Sequence, residues 1–201
     1  MILVDLNQVL ISNLMAQVRG KGDVKPNKDM IRLMVLNSLR GYNIKFKDEY
    51  GDMVLCSDAS DPWRKEFFPL YKHSRKAARQ DGPFDWANIF KIITEIKNEV
   101  KENFPYKMMY VENSEADDLI ARFIHLHPDD THYIISTDSD YVQLITDKVF
   151  QYNGVTNELI TLRGYIKENG KAVIDKKTKE PKLLEDPKYL LFKKLVRGDA
   201  G

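Results

Sequence analysis

Acidic side chains fall where a folded chain could gather them. Asp5 follows the apolar run Ile2-Leu3-Val4. Asp58 follows Met53-Val54-Leu55-Cys56-Ser57, and Asp138 closes Tyr133-Ile134-Ile135-Ser136-Thr137. Two more acidic stretches stand where helices should begin: Ser114-Glu115-Ala116-Asp117-Asp118, and Asp140 two residues after Asp138. Carboxylates at such density repel one another, and some would take up protons. Hard divalent cations with oxygen ligands relieve the repulsion, and Mg²⁺ or Mn²⁺ suits an all-carboxylate, water-rich site. Two such ions about 3.5–4 Å apart can activate a water and stabilise the leaving oxygen of a phosphodiester. Each acid also has a plainer use, because Asp and Glu cap helices and suit the positive end of the helix dipole. The joint pattern of strand ends and helix starts favours the metal site. His125, His127 and His132 flank the fourth strand at the far end of the acidic helix and read as surface or packing residues.

Converging carboxylates require a scaffold. The apolar runs predict buried strands at 1–4, 53–57, Tyr106–Val111, 133–136 and Val149–Tyr152. Between them, helical spacing predicts helices from Asn7 to about Arg19, from the cap Asn27 to about Lys47, from the cap Asp85 to Pro105, from Ser114 through Ile124, and briefly after Asp140. Strands alternating with helices predict an α/β fold, a mainly parallel sheet with helices on both faces. The carboxyl ends of such strands form the ligand crevice. Beyond Asn153 the pattern changes. Gly154 and Asn157 suggest a hairpin returning at Leu159–Leu162, and the Lys-rich stretch 166–182 suggests an exposed loop or irregular hairpin. A last helix after Pro187 should lay Leu190, Leu191, Leu195 and Val196 on the core and deliver Asp199 to the acidic rim.

The chain has 201 residues, 43% hydrophobic and 30% charged, which is ordinary globular composition. No apolar run approaches the roughly 18 residues of a bilayer span, and the first residues meet an acid at once, unlike a signal peptide. One cysteine, Cys56, excludes an intramolecular disulfide and a multi-cysteine metal site. A soluble cytoplasmic protein with no membrane partner is expected. The net charge of +1 hides segregation. Residues 112–140 hold eight acids and one base, residues 63–79 six bases and one acid, and residues 163–197 eleven bases and five acids. Basic segments around an acidic centre suit a protein that grips a polyanion and holds cations. Within the first basic segment, Lys72, Arg75, Lys76 and Arg79 at i, i+3, i+4 and i+7 form a positive helical stripe beside Tyr71. Its cations could hold a phosphate and its aromatic face stack on an unpaired base. Arg64, Tyr71, Lys72, Arg75, Lys76 and Arg79 are the candidate nucleic-acid contacts. Packing on the core is the preferred reading for Trp63, Phe67 and Phe68, and for Arg64 within that set.

Leu3-Val4-Asp5, Val54-Leu55-Cys56-Ser57-Asp58, Trp63-Arg64-Lys65, Tyr71-Lys72 with Arg75, Phe84-Asp85-Trp86, Glu115-Ala116-Asp117-Asp118 and Ser136-Thr137-Asp138-Ser139-Asp140 resemble the flap endonuclease / 5′-3′ exonuclease family. The match runs in order over residues 1–152 and returns at Arg197-Gly198-Asp199. The resemblance implies a PIN-like nuclease fold over residues 1–153, with a basic helical arch at about 62–83 through which a 5′ strand passes. It implies hydrolysis of RNA primers and 5′ flaps in DNA replication or repair, with two Mg²⁺ or Mn²⁺ ions. Asp5, Asp58, Glu115 and Asp117 would surround the first metal. Asp118, Asp138 and Asp140 would serve the second, with Asp199 nearby, and Lys72 and Arg75 would contact the reacting phosphate. Implied partners are DNA and RNA/DNA hybrids with 5′ ends or flaps, with a single-strand-binding protein or sliding clamp as further candidates. The implied location is the cytoplasm, that of the host cell for a phage-encoded chain.

Two departures stand out. The family's Gly-Asp opens a helix–three-turn–helix that holds duplex DNA, so residues 154–201 read as a hairpin, a Lys-rich loop and the start of a truncated version. Residues 163–186 are also longer and richer in lysine than the family pattern. Two alternatives therefore stay open: a non-catalytic or weakly active nucleic-acid-binding module, and a PIN-type single-strand ribonuclease.

Overall fold

The computed structural model describes residues 1–18, 26–73, 79 and 84–198. Strand β1 (Ile2–Asp5) leads directly into α1 (Leu6–Val18). Helix α2 (Lys28–Tyr50) and β2 (Met53–Cys56) follow, then the short α3 (Arg64–Phe67), α4 (Trp86–Asn103), β3 (Lys107–Met109) and α5 (Ala116–Leu126). After β4 (His132–Ile135) come a 3₁₀ helix (Ser139–Leu144), the strands β5 (Val149–Asn153), β6 (Glu158–Thr161) and β7 (Gly164–Lys167), and α6 (Pro187–Arg197).

The seven strands form one sheet in the order β3-β2-β1-β4-β5-β6-β7. β1 to β5 are mutually parallel, and β6 and β7 add an antiparallel edge. Alternation along the strands divides the core. Ile2, Val4, Leu55 and Ile135 face a layer built from α1, α2 and α4, which contribute Leu10, Ile31, Leu39, Ile89 and Ile96. Leu3, Val54, Cys56 and Ile134 face the opposite layer, where Ala116, Leu119 and Ile120 of α5 meet Tyr141 of the 3₁₀ helix. A strand covered on both faces reads as a continuous apolar run, as β1 and β2 do.

Local signals fix the ends. The Asn27 side chain accepts from Met30 N at 2.9 Å, and that of Asp85 from Asn88 N at 3.0 Å, so both expected caps start their helices. Gly51, at φ +81°, closes α2 with its N–H on the Lys47 carbonyl. The expected strand at 106–111 is shorter, because the chain leaves the sheet at Tyr110 to turn into α5, and α5 itself begins at Ala116, after Ser114. Residues 166–182 fold back as an irregular hairpin held by Ile166 opposite Ala172 and Ile174 opposite Pro181.

Helix α6 differs from expectation. It forms where Pro187 places it, but Leu191, Leu195 and Val196 point to solvent, with Leu195 77% exposed. Its half-buried positions are Pro187, Leu190, Lys193 and Lys194 instead. The helix lies against the 3₁₀ helix through an ion pair from Lys194 to Asp140.

Candidate metal centre

The parallel sheet brings the carboxyl ends of β1, β2 and β4 side by side, with Ala116 at the head of α5 bonded to Asp58. Asp5 is the last residue of β1, and its Oδ1 accepts from Gln8 N at 3.0 Å, so it also starts α1. Its Oδ2 receives the Tyr141 hydroxyl at 3.2 Å and the Ser136 hydroxyl at 3.4 Å. Asp58 Oδ1 accepts from Ala116 N at 2.8 Å, which ties the end of β2 to the start of α5. Asp117 Oδ1 accepts from Asp118 N at 2.8 Å, and Asp118 Oδ2 from Glu115 N at 3.1 Å. Asp138 accepts from Asp140 N at 2.9 Å, while Asp138 N donates to Ser136 Oγ at 3.1 Å.

Glu115, Asp117 and Asp118 each offer a carboxylate oxygen within 4.8 Å of the other two. Asp5 lies close enough to Asp58 and Asp138 to feel their charge. Burial pushes its carboxyl up to about 7, and those two neighbours add to the rise against the pull of Gln8 N–H and the Tyr141 hydroxyl. Burial likewise raises Asp117, with Glu115 and Asp118 adding and Arg64 opposing. Burial also pushes the Cys56 thiol up to about 12, leaving it inert beside Asp5. At Asp5 and Asp117 burial and neighbouring carboxylates favour the proton-bound form, and a hard divalent cation fits oxygen ligands of this kind, since it can replace the proton.

Cations from the basic segment close over one end of this set. Arg64 is bidentate on Asp118, at 2.8 Å to each oxygen, and its Nη1 also reaches Glu115 Oε2 at 2.9 Å. The Tyr71 hydroxyl donates to the same Oε2 at 2.7 Å, and Lys72 Nζ to Glu115 Oε1 at 2.6 Å. Burial works against the charge on Asp118, but the bonds from Arg64, Glu115 N–H and Trp63 outweigh it and hold the carboxyl low. Asp118 thus stands with Glu115 and Asp117 beneath Arg64, while Asp138 and Asp140 form a separate turn.

Several expectations for the basic segment are corrected. Arg64 is an ion-pairing residue of the acidic cluster, where packing was preferred. Trp63, Phe67 and Phe68 do not pack on the core; Phe67 is 79% exposed, because α3 stands out from the sheet on the Arg64 anchor. Lys72 does not open a helical stripe, for it sits in a turn at φ +54°. Arg79 lays its guanidinium over Trp86 and Phe90 of α4, at 5.1 and 5.0 Å from the ring centres. Arg75, Lys76 and Asp199 lie outside the described residues.

Other participants left weaker marks in the sequence. Lys97 of α4 is half-buried and donates to the Asp58 carbonyl at 3.3 Å; burial lowers its pKa, while Asp58 raises it. Its signal was a lysine one place from the buried Ile96. Tyr141 and Ser136 donate to Asp5, while Ser136 Oγ and Gln151 Nε2 hold the turn that carries Asp138. A glutamine two places from Val149 on an inward strand face was the readable sign.

The family model of a 5′-3′ exonuclease, N-terminal resolvase-like domain, matches residues 2–177. Ribonuclease H of Enterobacteria phage T4 is 33% identical over 148 residues, covering 71% of this chain and 48% of the phage protein. The chain thus spans about half the length of that curated relative. Among solved structures, the T5 D15 protein co-crystallised with metal ions superposes with a TM-score of 0.62 at 19% identity, over 81% of this chain and 57% of that one. A variant of the bacteriophage T5 flap endonuclease, in a pseudo-enzyme-product complex with DNA and metal ions, superposes with a TM-score of 0.63 at 19% identity, over 81% and 57%. At that identity the superpositions establish the fold.

Proposed function

Because the chain belongs to the family of 5′-3′ exonuclease N-terminal resolvase-like domains, we propose that it is a metal-dependent 5′ nuclease that hydrolyses phosphodiesters of RNA primers and 5′ flaps. The observation that carries this reading is the gathering of Asp5, Asp58 and Asp138 at adjacent strand ends, with Glu115, Asp117 and Asp118 at the head of α5. Mg²⁺ or Mn²⁺, two ions in all, would be held by these carboxylates together with Asp140. Bound there, such ions supply an activated water and stabilisation of the leaving oxygen.

The chain's own groups do the rest. Asp5 keeps its orientation through Gln8 N–H and the Tyr141 hydroxyl, so its charge is placed before substrate arrives. Lys72 and Tyr71, half-buried at the edge of the cluster, are within reach of a phosphate that approaches Glu115. Donors fixed where charge develops lower the barrier without reorganising. Arg75, Lys76 and Arg79 complete the proposed contact to the 5′ strand, and Asp199 a further carboxylate. The substrates on this reading are DNA and RNA/DNA hybrids with 5′ ends or flaps, and a single-strand-binding protein or sliding clamp is a candidate partner.

The test uses 5′-labelled flap, blunt-duplex and single-stranded substrates with Mg²⁺, Mn²⁺ or EDTA. Metal-dependent cutting of the flap substrate is expected, lost in Asp58→Asn and Asp138→Asn variants that stay folded. Cutting that survives EDTA, or near-wild-type turnover in either variant, would overturn the reading.

A further inference from the structure

The side chain of Gln151 sits beneath the turn that carries Asp138 and Asp140. It is 1% exposed, on the face of β5 that also buries Val149, in register with Ile134 of β4. A buried primary amide on an otherwise apolar face costs stability unless its polar atoms are used. Its Nε2 donates to the Ser136 carbonyl at 3.0 Å and to the Asp138 carbonyl at 2.7 Å. Two accepting carbonyls on one nitrogen fix which end of the amide is the NH₂.

Those two carbonyls bracket the Ser136–Asp138 turn. From the same turn, Ser136 Oγ reaches Asp5 Oδ2, Asp138 N returns to Ser136 Oγ, and Asp138 accepts from Asp140 N. One amide from the floor of the sheet therefore sets the backbone from which Asp138 and Asp140 project, and it touches neither carboxylate. Regular β-sheet pairing cannot do this work. β4 ends at Ile135, and the last backbone bond from β5 to this segment is Ser136 N on the Tyr152 carbonyl.

We propose that Gln151 is a positioning residue for the metal centre, fixing the Asp138–Asp140 turn so that its carboxylates meet a divalent cation together with Asp5. This rests on the metal-site reading given above. Groups that orient ligands from behind typically change metal affinity by about 10–100-fold when removed.

The experiment is a Mn²⁺ titration of the 201-residue chain, followed by the electron paramagnetic resonance of free Mn²⁺, which needs no substrate or turnover. Gln151→Met keeps length and apolar volume but has no donors. Gln151→Glu keeps the shape but presents oxygen to the two carbonyls. Val149→Ala is the control, because it opens a void on the same buried face without touching the turn. Thermal melts of the metal-free proteins measure the destabilisation of each. Both Gln151 variants are expected to weaken Mn²⁺ binding by about 10-fold or more, whereas Val149→Ala keeps wild-type affinity at about 20 °C. Wild-type affinity in Gln151→Met, or an equal loss in Val149→Ala, would reduce Gln151 to a packing residue. A wild-type chain that binds no Mn²⁺ would instead remove the metal-site reading itself, so the two failures are told apart.

Discussion

Asp5, Asp58, Asp117, Asp118 and Asp138 each commit an oxygen to a backbone N–H. Capping and metal binding are thus not rival uses of these residues, since the bond that caps a helix also aims the carboxylate. The electrostatic cost of that aim is greatest at Asp5. Its carboxyl is raised to about 7 in the fold, against about 4 in an unfolded chain, so the native state holds the proton more tightly. Stability without metal should then fall as pH rises from about 4 through about 7. Asp5→Asn removes the term. In urea denaturation with EDTA at about pH 8, the variant should exceed wild type by about 1 kcal/mol or more, with the gap closing below about pH 4. Added Mn²⁺ should stabilise wild type more than the variant. Lys72, bonded to Glu115, makes a second expectation at this scale. Lys72→Ala should lower single-turnover cleavage by about 10²-fold or more while changing duplex affinity little, as for a group that acts on charge in the transition state. Equal losses in both measurements would make it an ordinary phosphate contact.

Among elements, α5 carries the heaviest duty, for it presents Glu115, Asp117 and Asp118 at its head while Leu119 and Ile120 bury its flank. On that side of the sheet Ile120 packs among Leu3, Val54 and Ile134, so Ile120→Ala should cost about 2–5 kcal/mol in denaturant unfolding. A cost under about 1 kcal/mol would show that the layer can collapse around the gap. The strands and long helices were legible because their signals are local and repeat along the chain: apolar runs in β1 and β2, caps at Asn27 and Asp85, a stop at Gly51. The acidic rim was legible for a different reason, as parallel topology sends every strand's carboxyl end the same way. What could not be read was side-chain direction in short irregular segments. Periodicity put Lys72 and Arg79 on one stripe, yet a left-handed turn at Lys72 and the stacking of Arg79 on α4 separate them. Nor does local pattern reveal that Arg64 would cross to Asp118, because an ion pair between residues 54 apart is written in neither segment alone.

Over the whole molecule, charge is laid out by distance from the acidic centre. Arg64 and Lys72 neutralise it directly, Lys194 pairs with Asp140 from α6, and Lys176, Lys177 and Lys179 stand exposed on the irregular hairpin after β7. Removing those three outer lysines together should weaken nucleic-acid binding and flatten its dependence on log salt by up to about 3 units, with cleavage of bound substrate little changed. An unaltered salt slope would take the hairpin off the binding path. The pairing of β1 has a consequence in time. Ile2 lies between Met53 and Tyr133, so the first strand made is the middle of the five parallel strands and its pairing cannot be completed until the fourth exists. Such distant pairings form late and slowly, because loop closure precedes any gain from contact. On the ribosome, a growing chain that lacks β4 would have Asp5 with no Asp138 beside it. On the proposed reading, any cutting activity would therefore have to wait for the closing strand.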